Sequence, residues 1–196
     1  MSRGLAITLA VLGGLVALVL VVGAFVGLNY VHARNTMVDK DQAVKEAWSN
    51  VDTQLQRRAD LIPNLVETVK GFAKQETTVF GDIANARAGL LNAQGPQAKM
   101  AANGHLDSAI GRLLMLQENY PVLKSNEQFL RLQDELSGTE NRITVARKRY
   151  NDSLKDYNTY VLQFPNNIWA GMSGFQVNNA YFQASEAART VPPVKF

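Results

Sequence analysis

The sequence predicts an all-α protein: a single N-terminal transmembrane helix followed by an antiparallel four-helix bundle of two long and two short helices. Three observations carry this. Leu5 to Leu28 is an apolar run without a charge, broken only by the hydroxyl of Thr8. Beyond it, apolar residues recur at spacings of three and four over two long stretches, which is the seam of helices packed side by side. No stretch alternates apolar and polar residues as a half-buried strand would. The chain divides into a short tail (1–4), the span (5–28), a helical domain (30–191) and a C-terminal tail (192–196).

At ~1.5 Å per residue, the roughly 24 residues of the run extend ~36 Å, enough to cross a ~30 Å hydrocarbon core with some tilt. The alternative is a cleaved signal peptide, with Val31-His32-Ala33 as a weak cleavage site. Its apolar region would be shorter, about 7–15 residues. Gly23 and Gly27 stand in the GxxxG spacing that lets two membrane helices approach closely. Glycine is also simply common in such helices. Arg3 lies before the span. Arg34, Lys40 and Lys45 lie after it, mixed with Asp39 and Asp41. The positive-inside rule leans slightly toward a cytoplasmic domain.

The first long seam runs Val44, Trp48, Val51, Leu55, Arg58, Ile62, Leu65, Val69, Phe72, Glu76, Val79, Ile83, Ala86, Leu90. It keeps its phase through Pro63, so the spacing predicts one kinked helix from near Tyr30 to near Leu91, softened at Gly71. Asn92 to Gly104, with Gly95, Pro96 and Gly104, reads as a loop. His105 to Asn119 reads as a short helix burying Leu106, Ile110, Leu113, Leu114 and Leu116, ended by Tyr120-Pro121. Ser125 and Gln128 fit a capping box for the second long helix. Its seam is Phe129, Leu132, Leu136, Glu140, Ile143, Arg147, Tyr150, Leu154, Tyr157, Val161, and Phe164-Pro165 ends it. Tyr181 to Arg189 reads as a short last helix.

Four charges interrupt the seams: Arg58, Glu76, Glu140 and Arg147. Charges are rarely buried unless paired, so cross-helix Arg–Glu pairs in the bundle core are one reading. Such pairs fix which helix faces which more than they stabilise. The other reading is that these side chains reach out from the bundle edge.

Composition excludes several chemistries. There is no cysteine, which rules out thiolate metal sites, thiol catalysis and a lipidated cysteine. The two histidines, His32 and His105, are far apart. The net charge of +3 comes from interleaved basic and acidic residues, with no block that suits nucleic acid. No phosphate-binding loop, nucleophile elbow, HExxH or di-iron spacing is present. The reading is therefore of a protein without catalytic residues, metal, cofactor or evident small-molecule substrate.

Phe164, Ile168, Trp169, Met172 and Phe175 stand in an Asn- and Gly-rich stretch of weak helical periodicity. If the second long helix returns toward the membrane, this stretch ends near the lipid surface, where Trp is favoured. It is a candidate partner or lipid contact, or ordinary closure of the bundle end.

Three long strings are similar to the LemA family of bacterial proteins: Ala47–Glu76, Glu118–Asn151 and Tyr157–Phe175. The closing residues from Tyr181 also resemble that family's end. Arg57, Arg58, Asp60, Pro63 and Asn64 fall on its central motif, and Glu140, Asn141, Arg142 and Arg147 on its second. The resemblance implies a bacterial inner-membrane protein with one span and an antiparallel helical bundle, and it brings no enzymatic reaction or cofactor. Some members carry a lipoprotein signal, implying a bundle outside the cytoplasm; here no cysteine stands at Gly27-Leu28-Asn29-Tyr30. A distant relative takes part in forming magnetosome membranes. Together these readings favour a non-enzymatic scaffold, anchored in the bilayer, that forms homo-oligomers and organises membrane or membrane-protein assemblies. The alternative is an adaptor that binds a separate membrane enzyme such as a protease.

Overall fold

The computed structural model describes residues 3–183. These are helical throughout, apart from short connections and a C-terminal extended stretch, and contain no strand. Helix α1 (Arg3–Lys70) runs without interruption from the apolar run into the polar part of the chain. There follow α2 (Thr77–Asn92), α3 (Gly95–Met115), a turn of 3-10 helix (Leu116–Glu118), α4 (Pro121–Lys124), α5 (Glu127–Leu162) and α6 (Asn166–Ser173). Two long helices, α1 and α5, and two shorter ones, α2 and α3, make up most of the fold. The short pair differs from the expected one. Of the expected last helix, Tyr181–Gln183 are not helical, and the rest lies outside the described residues together with the 192–196 tail.

The structure divides into two compact units. One draws on residues up to Ala43 and on Lys155–Asn178; the other on Val44–Leu154 and on residues from Asn179. In the second unit the seams are buried: Val51, Leu55, Ile62, Leu65 and Val69 from α1, Ile83 and Leu90 from α2, Leu106 and Leu113 from α3, and Phe129, Ile143, Tyr150 and Leu154 from α5. In the first, Ala33, Met37, Tyr157, Val161 and Ala170 form the core. The apolar run is the exception, because the side chains described from Val11 to Leu28 are exposed. A core helix would be covered; this one is long and apolar enough to cross a membrane.

The expected helix from Tyr30 to Leu91 is two helices. The chain stays helical through Pro63 and breaks at Gly71, with six residues before α2 begins. The reason lies in the hydrogen bonds. Proline has no N–H, so the carbonyl four residues earlier, that of Ala59, loses its helical donor. Ala59 is fully buried, and the Nε–H of Arg87 on α2 donates to that carbonyl at 2.8 Å. The defect is thereby filled by a neighbouring helix. At Gly71, backbone freedom disfavours the helix instead. Phe72 and Ala73 then donate to the carbonyl of Val69 and close the end. Across the break the seam slips by one residue, with Ala73 and Phe80 buried where Phe72 and Val79 were expected, and it resumes at Ile83.

We expect Arg87→Ala to lower stability by about 1–3 kcal/mol, the cost of an unpaired buried carbonyl. In a Pro63→Ala background the restored amide takes the carbonyl back. The same substitution then costs less than half as much. Urea unfolding of the four variants measures this coupling; equal losses in both backgrounds would refute it.

The expected loop Asn92–Gly104 is mostly helix. Only Ala93 and Gln94 connect α2 to α3. Pro96 stands in the first helical turn, where its missing N–H costs nothing, and Gly95 adopts φ +76°. Ala98, Ala101 and Ala102 favour helix. The capping box is displaced by one residue. Asn126, not Ser125, caps α5, accepting from the Phe129 amide at 2.9 Å, while the Ser125 hydroxyl donates back to the Val122 carbonyl at 3.2 Å. Gly174, left-handed at φ +76°, ends α6.

Candidate functional site

Three arrangements gather the polar and aromatic residues. In the second unit, α1, α3 and α5 meet around Arg58, whose side chain is 7% exposed. Its guanidinium makes ion pairs with Glu140 on α5 and with Asp107 on α3, the latter at 2.6 Å. Asn103, fully buried one turn before Asp107, accepts from Arg58 at 3.4 Å and donates to Asp107 at 3.0 Å. The carboxylates are the wetter partners, 42% exposed for Asp107 and 40% for Glu140. The structure thus brings Arg58 and Glu140 together, and adds Asp107 and Asn103 from the stretch around His105.

Glu76 does not join them, and Arg147, though its charge reaches Asp107, has its guanidinium against a ring instead. Glu76 sits at the start of α2 and accepts from the Tyr120 hydroxyl at 3.2 Å. The break at Gly71 removes it from the α1 seam. Arg147 lies over the ring of Phe182, with its guanidinium carbon 5.4 Å from the centroid. The expected Arg–Glu pairing is therefore corrected for both.

Burial pushes the Asp107 carboxyl above its usual value; Arg58 opposes this, Glu140 adds to it, and Arg147 opposes it more weakly. A carboxyl whose folded value is raised binds its proton more tightly folded than unfolded. Its contribution to stability is fully present below the unfolded value and is lost as pH rises through the folded one. The stability difference between the parent and Asp107→Asn should therefore shift against the parent as pH rises from about 4, and level off at higher pH. Paired urea titrations across the acidic range check the sign.

The second arrangement docks the extended C-terminal stretch. On α5, the Asn151 side chain donates to the Phe182 carbonyl and accepts from the Phe182 amide, both at 2.9 Å. In the first unit, Asn158 does the same with Asn178, at 2.6 and 2.8 Å, and the Tyr157 hydroxyl donates to the Gln176 carbonyl at 2.9 Å. Each asparagine replaces the strand partner that an extended segment otherwise lacks. Phe182 then packs on Trp48 and Tyr150, with ring centroids 6.1 and 5.3 Å away.

The third arrangement lies at the first unit's apolar end. Trp169 on α6 packs edge-on against Tyr30 on α1, with centroids 5.7 Å apart, and the Ser173 hydroxyl donates to the Tyr30 hydroxyl at 3.2 Å. Higher on α1, Lys40 lies over the Tyr160 ring at 5.7 Å. Hence α5 descends alongside α1 in this unit, and α6 wraps the level of Tyr30. Trp169 and Phe175 are half-buried; Phe164, Ile168 and Met172 are exposed.

Other singled-out residues are placed as follows. Arg57, Asp60, Pro63 and Asn64 are exposed on α1, where Arg57 and Asp60 border a shallow groove with Asp52, Gln56 and Leu61. Asn141 and Arg142 are exposed on α5, with the Arg142 guanidinium folded over Gly138. Gly23 and Gly27 touch no other part of the chain.

A profile of the LemA family matches residues 47–196, the greater part of the chain. The chain belongs to the LemA family. Its relatives include magnetosome protein MamQ 1 of Paramagnetospirillum magneticum, 28% identical over 80% of this chain and 66% of that one. Magnetosome protein MamQ of Magnetospirillum gryphiswaldense is 26% identical over 79% and 65%. Protein LemA of Metamycoplasma hominis is 26% identical over 87% of this chain and 78% of its own length. The chain thus spans just under two thirds of the MamQ proteins it matches. The LemA profile begins at Ala47, so it covers the Arg58 cluster, both asparagine clamps and α6, while the apolar run and Tyr30 lie before it.

Proposed function

We propose that this LemA-family chain is a non-enzymatic scaffold of the bacterial inner membrane. It is anchored by Leu5–Leu28, self-associates, and organises membrane or membrane-protein assemblies. The observation that carries the reading is the uncovered apolar stretch that continues, inside one helix, into a packed helical unit. The charged residues drawn inward support the same view. Arg58 is held by ion pairs to Asp107 and Glu140, a contact that ties α1, α3 and α5 together. The names of the LemA and MamQ relatives are not enzyme names, and the magnetosome names fit an organising role.

Native sizing of the detergent-extracted chain, with protease protection of spheroplasts, tests this. A discrete homo-oligomer, weakened by Gly23→Leu with Gly27→Leu, is the expected result. A monomer that retains one stoichiometric membrane protein through purification would favour the adaptor. The exposed groove by Arg57 and Asp60 is where such a partner would sit. Recovery of the mature chain in the soluble fraction, cleaved near Ala33, would overturn both.

A further inference from the structure

Helix α6 has two unlike sides. Its inner side is occupied: Trp169 and Ser173 touch Tyr30, and Ala170 is buried. Its outer side carries Ile168 and Met172, four residues apart and 49% and 70% exposed. Phe164, four residues earlier in the preceding turn, is 81% exposed. Among the described residues, nothing covers these three.

Their position says what does. Tyr30 stands two residues beyond Leu28, a rise of only ~3 Å on a helix. Leu28 and Val31 are themselves exposed at this level. Apolar surface therefore passes from the span onto α6 at one height. No charge interrupts it, since the stretch from Gln163 to Asn178 contains no Asp, Glu, Lys, Arg or His. Charged residues make up 19% of the whole chain, so a neutral stretch of that length at this place is a departure. Arg34, exposed one turn above Tyr30, is placed to meet anionic headgroups.

We propose that α6 lies on the bilayer from which α1 emerges. Phe164, Ile168 and Met172 enter the boundary between headgroups and acyl chains, while Trp169 and Tyr30 sit at headgroup level. This is how short amphipathic helices and aromatic belts use the interface. The proposal rests on the anchor reading and adds a second foothold to it. A second protein copy is a poorer occupant. Two side chains on an eight-residue helix and one in the turn before it cover far less than the roughly 800 Å² per partner of a stable interface. A tethered contact with lipid needs no such area, because the span already holds α6 at the surface. The foothold fixes the rotation of the first unit about α1, which a lone span leaves free.

The cysteine-free chain makes the test direct. Full-length Ile168→Cys and Met172→Cys are spin-labelled in phosphatidylcholine–phosphatidylglycerol nanodiscs. Their accessibility to oxygen is compared with that to a water-soluble nickel chelate. Val16→Cys in the span and Val145→Cys, exposed on α5, set the lipid and water limits. All four positions are exposed, so the fold should survive each change. The expected result is an oxygen-to-nickel ratio at 168 and 172 several-fold above that at 145 and near that at 16. A ratio equal to that at 145, with 16 still in lipid, overturns the foothold and leaves the anchor standing. Line broadening at 168 or 172 that vanishes on dilution with unlabelled chain puts a second copy there and also overturns it. Water exposure at 16 overturns the anchor and the foothold together.

Discussion

Replacing both carboxylates that face Arg58, as Asp107→Ala with Glu140→Ala, is expected to lower stability by about 3–5 kcal/mol. The asymmetry of burial sets the size. Arg58 is almost wholly enclosed while its two partners are about 40% exposed. Removing the partners strands a cation that water cannot reach, and its planar guanidinium cannot shed its proton to escape. Either single substitution leaves one carboxylate and Asn103 in place and costs markedly less. The two singles should therefore sum to less than the double, a coupling that a double-mutant cycle in urea measures directly. Arg58→Ala removes the cation itself and leaves two half-wet carboxylates, which solvent and protonation relieve; about 2–4 kcal/mol is expected. Additive single losses, or a loss within ~0.5 kcal/mol for Arg58→Ala, would show that the cluster is not a mutually dependent unit.

The second large effect is expected at Tyr150. It is 1% exposed and packs edge-on against Trp48 at 5.8 Å and against Phe182 at 5.3 Å. Truncation to alanine empties the space between α1, α5 and the extended C-terminal stretch. About 3–5 kcal/mol should be lost, as for other large aromatic residues removed from a core. The loss should carry a local signature. Phe182 loses its ring partner, so the amides near Asn151 and Phe182 should exchange hydrogen faster than those of α2 and α3. Val145→Ala, exposed a turn and a half earlier on α5, should change stability by no more than ~0.5 kcal/mol. Unfolding in detergent with hydrogen-exchange mass spectrometry distinguishes the two, and equal effects would mean that the aromatic cluster bears no special weight.

The all-α fold was legible because periodicity reports burial directly. Val51, Leu55, Ile62, Leu65 and Val69, and Phe129, Ile143, Tyr150 and Leu154, are all inside. Boundaries were less legible. Pro63 looks like the natural break and Gly71 like a soft spot, but the break falls at Gly71. The hydrogen bond that rescues Pro63 comes from Arg87, remote in sequence. Likewise Gly95, Pro96 and Gly104 suggested a loop, whereas Pro96 at a first turn starts a helix and Gly104 is simply carried within it. Of the polar cluster, Arg58 and Glu140 stood out because they interrupt apolar seams. Asp107 and Asn103 did not, since only the packing of α3 turns them inward. The asparagine clamps left a faint trace: Asn151 and Asn158 each follow a seam tyrosine at an interval of seven residues. Nothing local reveals that an extended segment returns to meet them.

The missing amide at Pro63 also has a meaning for how the chain finds its fold. A hairpin of α1 and α2 that pairs one residue out of step would bring only the methyl of Ala86 or Ala88 to the oxygen of Ala59, and a bare oxygen in an oily layer is punished at once. Only the correct alignment supplies a guanidinium there. The proline thus serves as a proofreading mark, a single notch that accepts one tooth and rejects its neighbours.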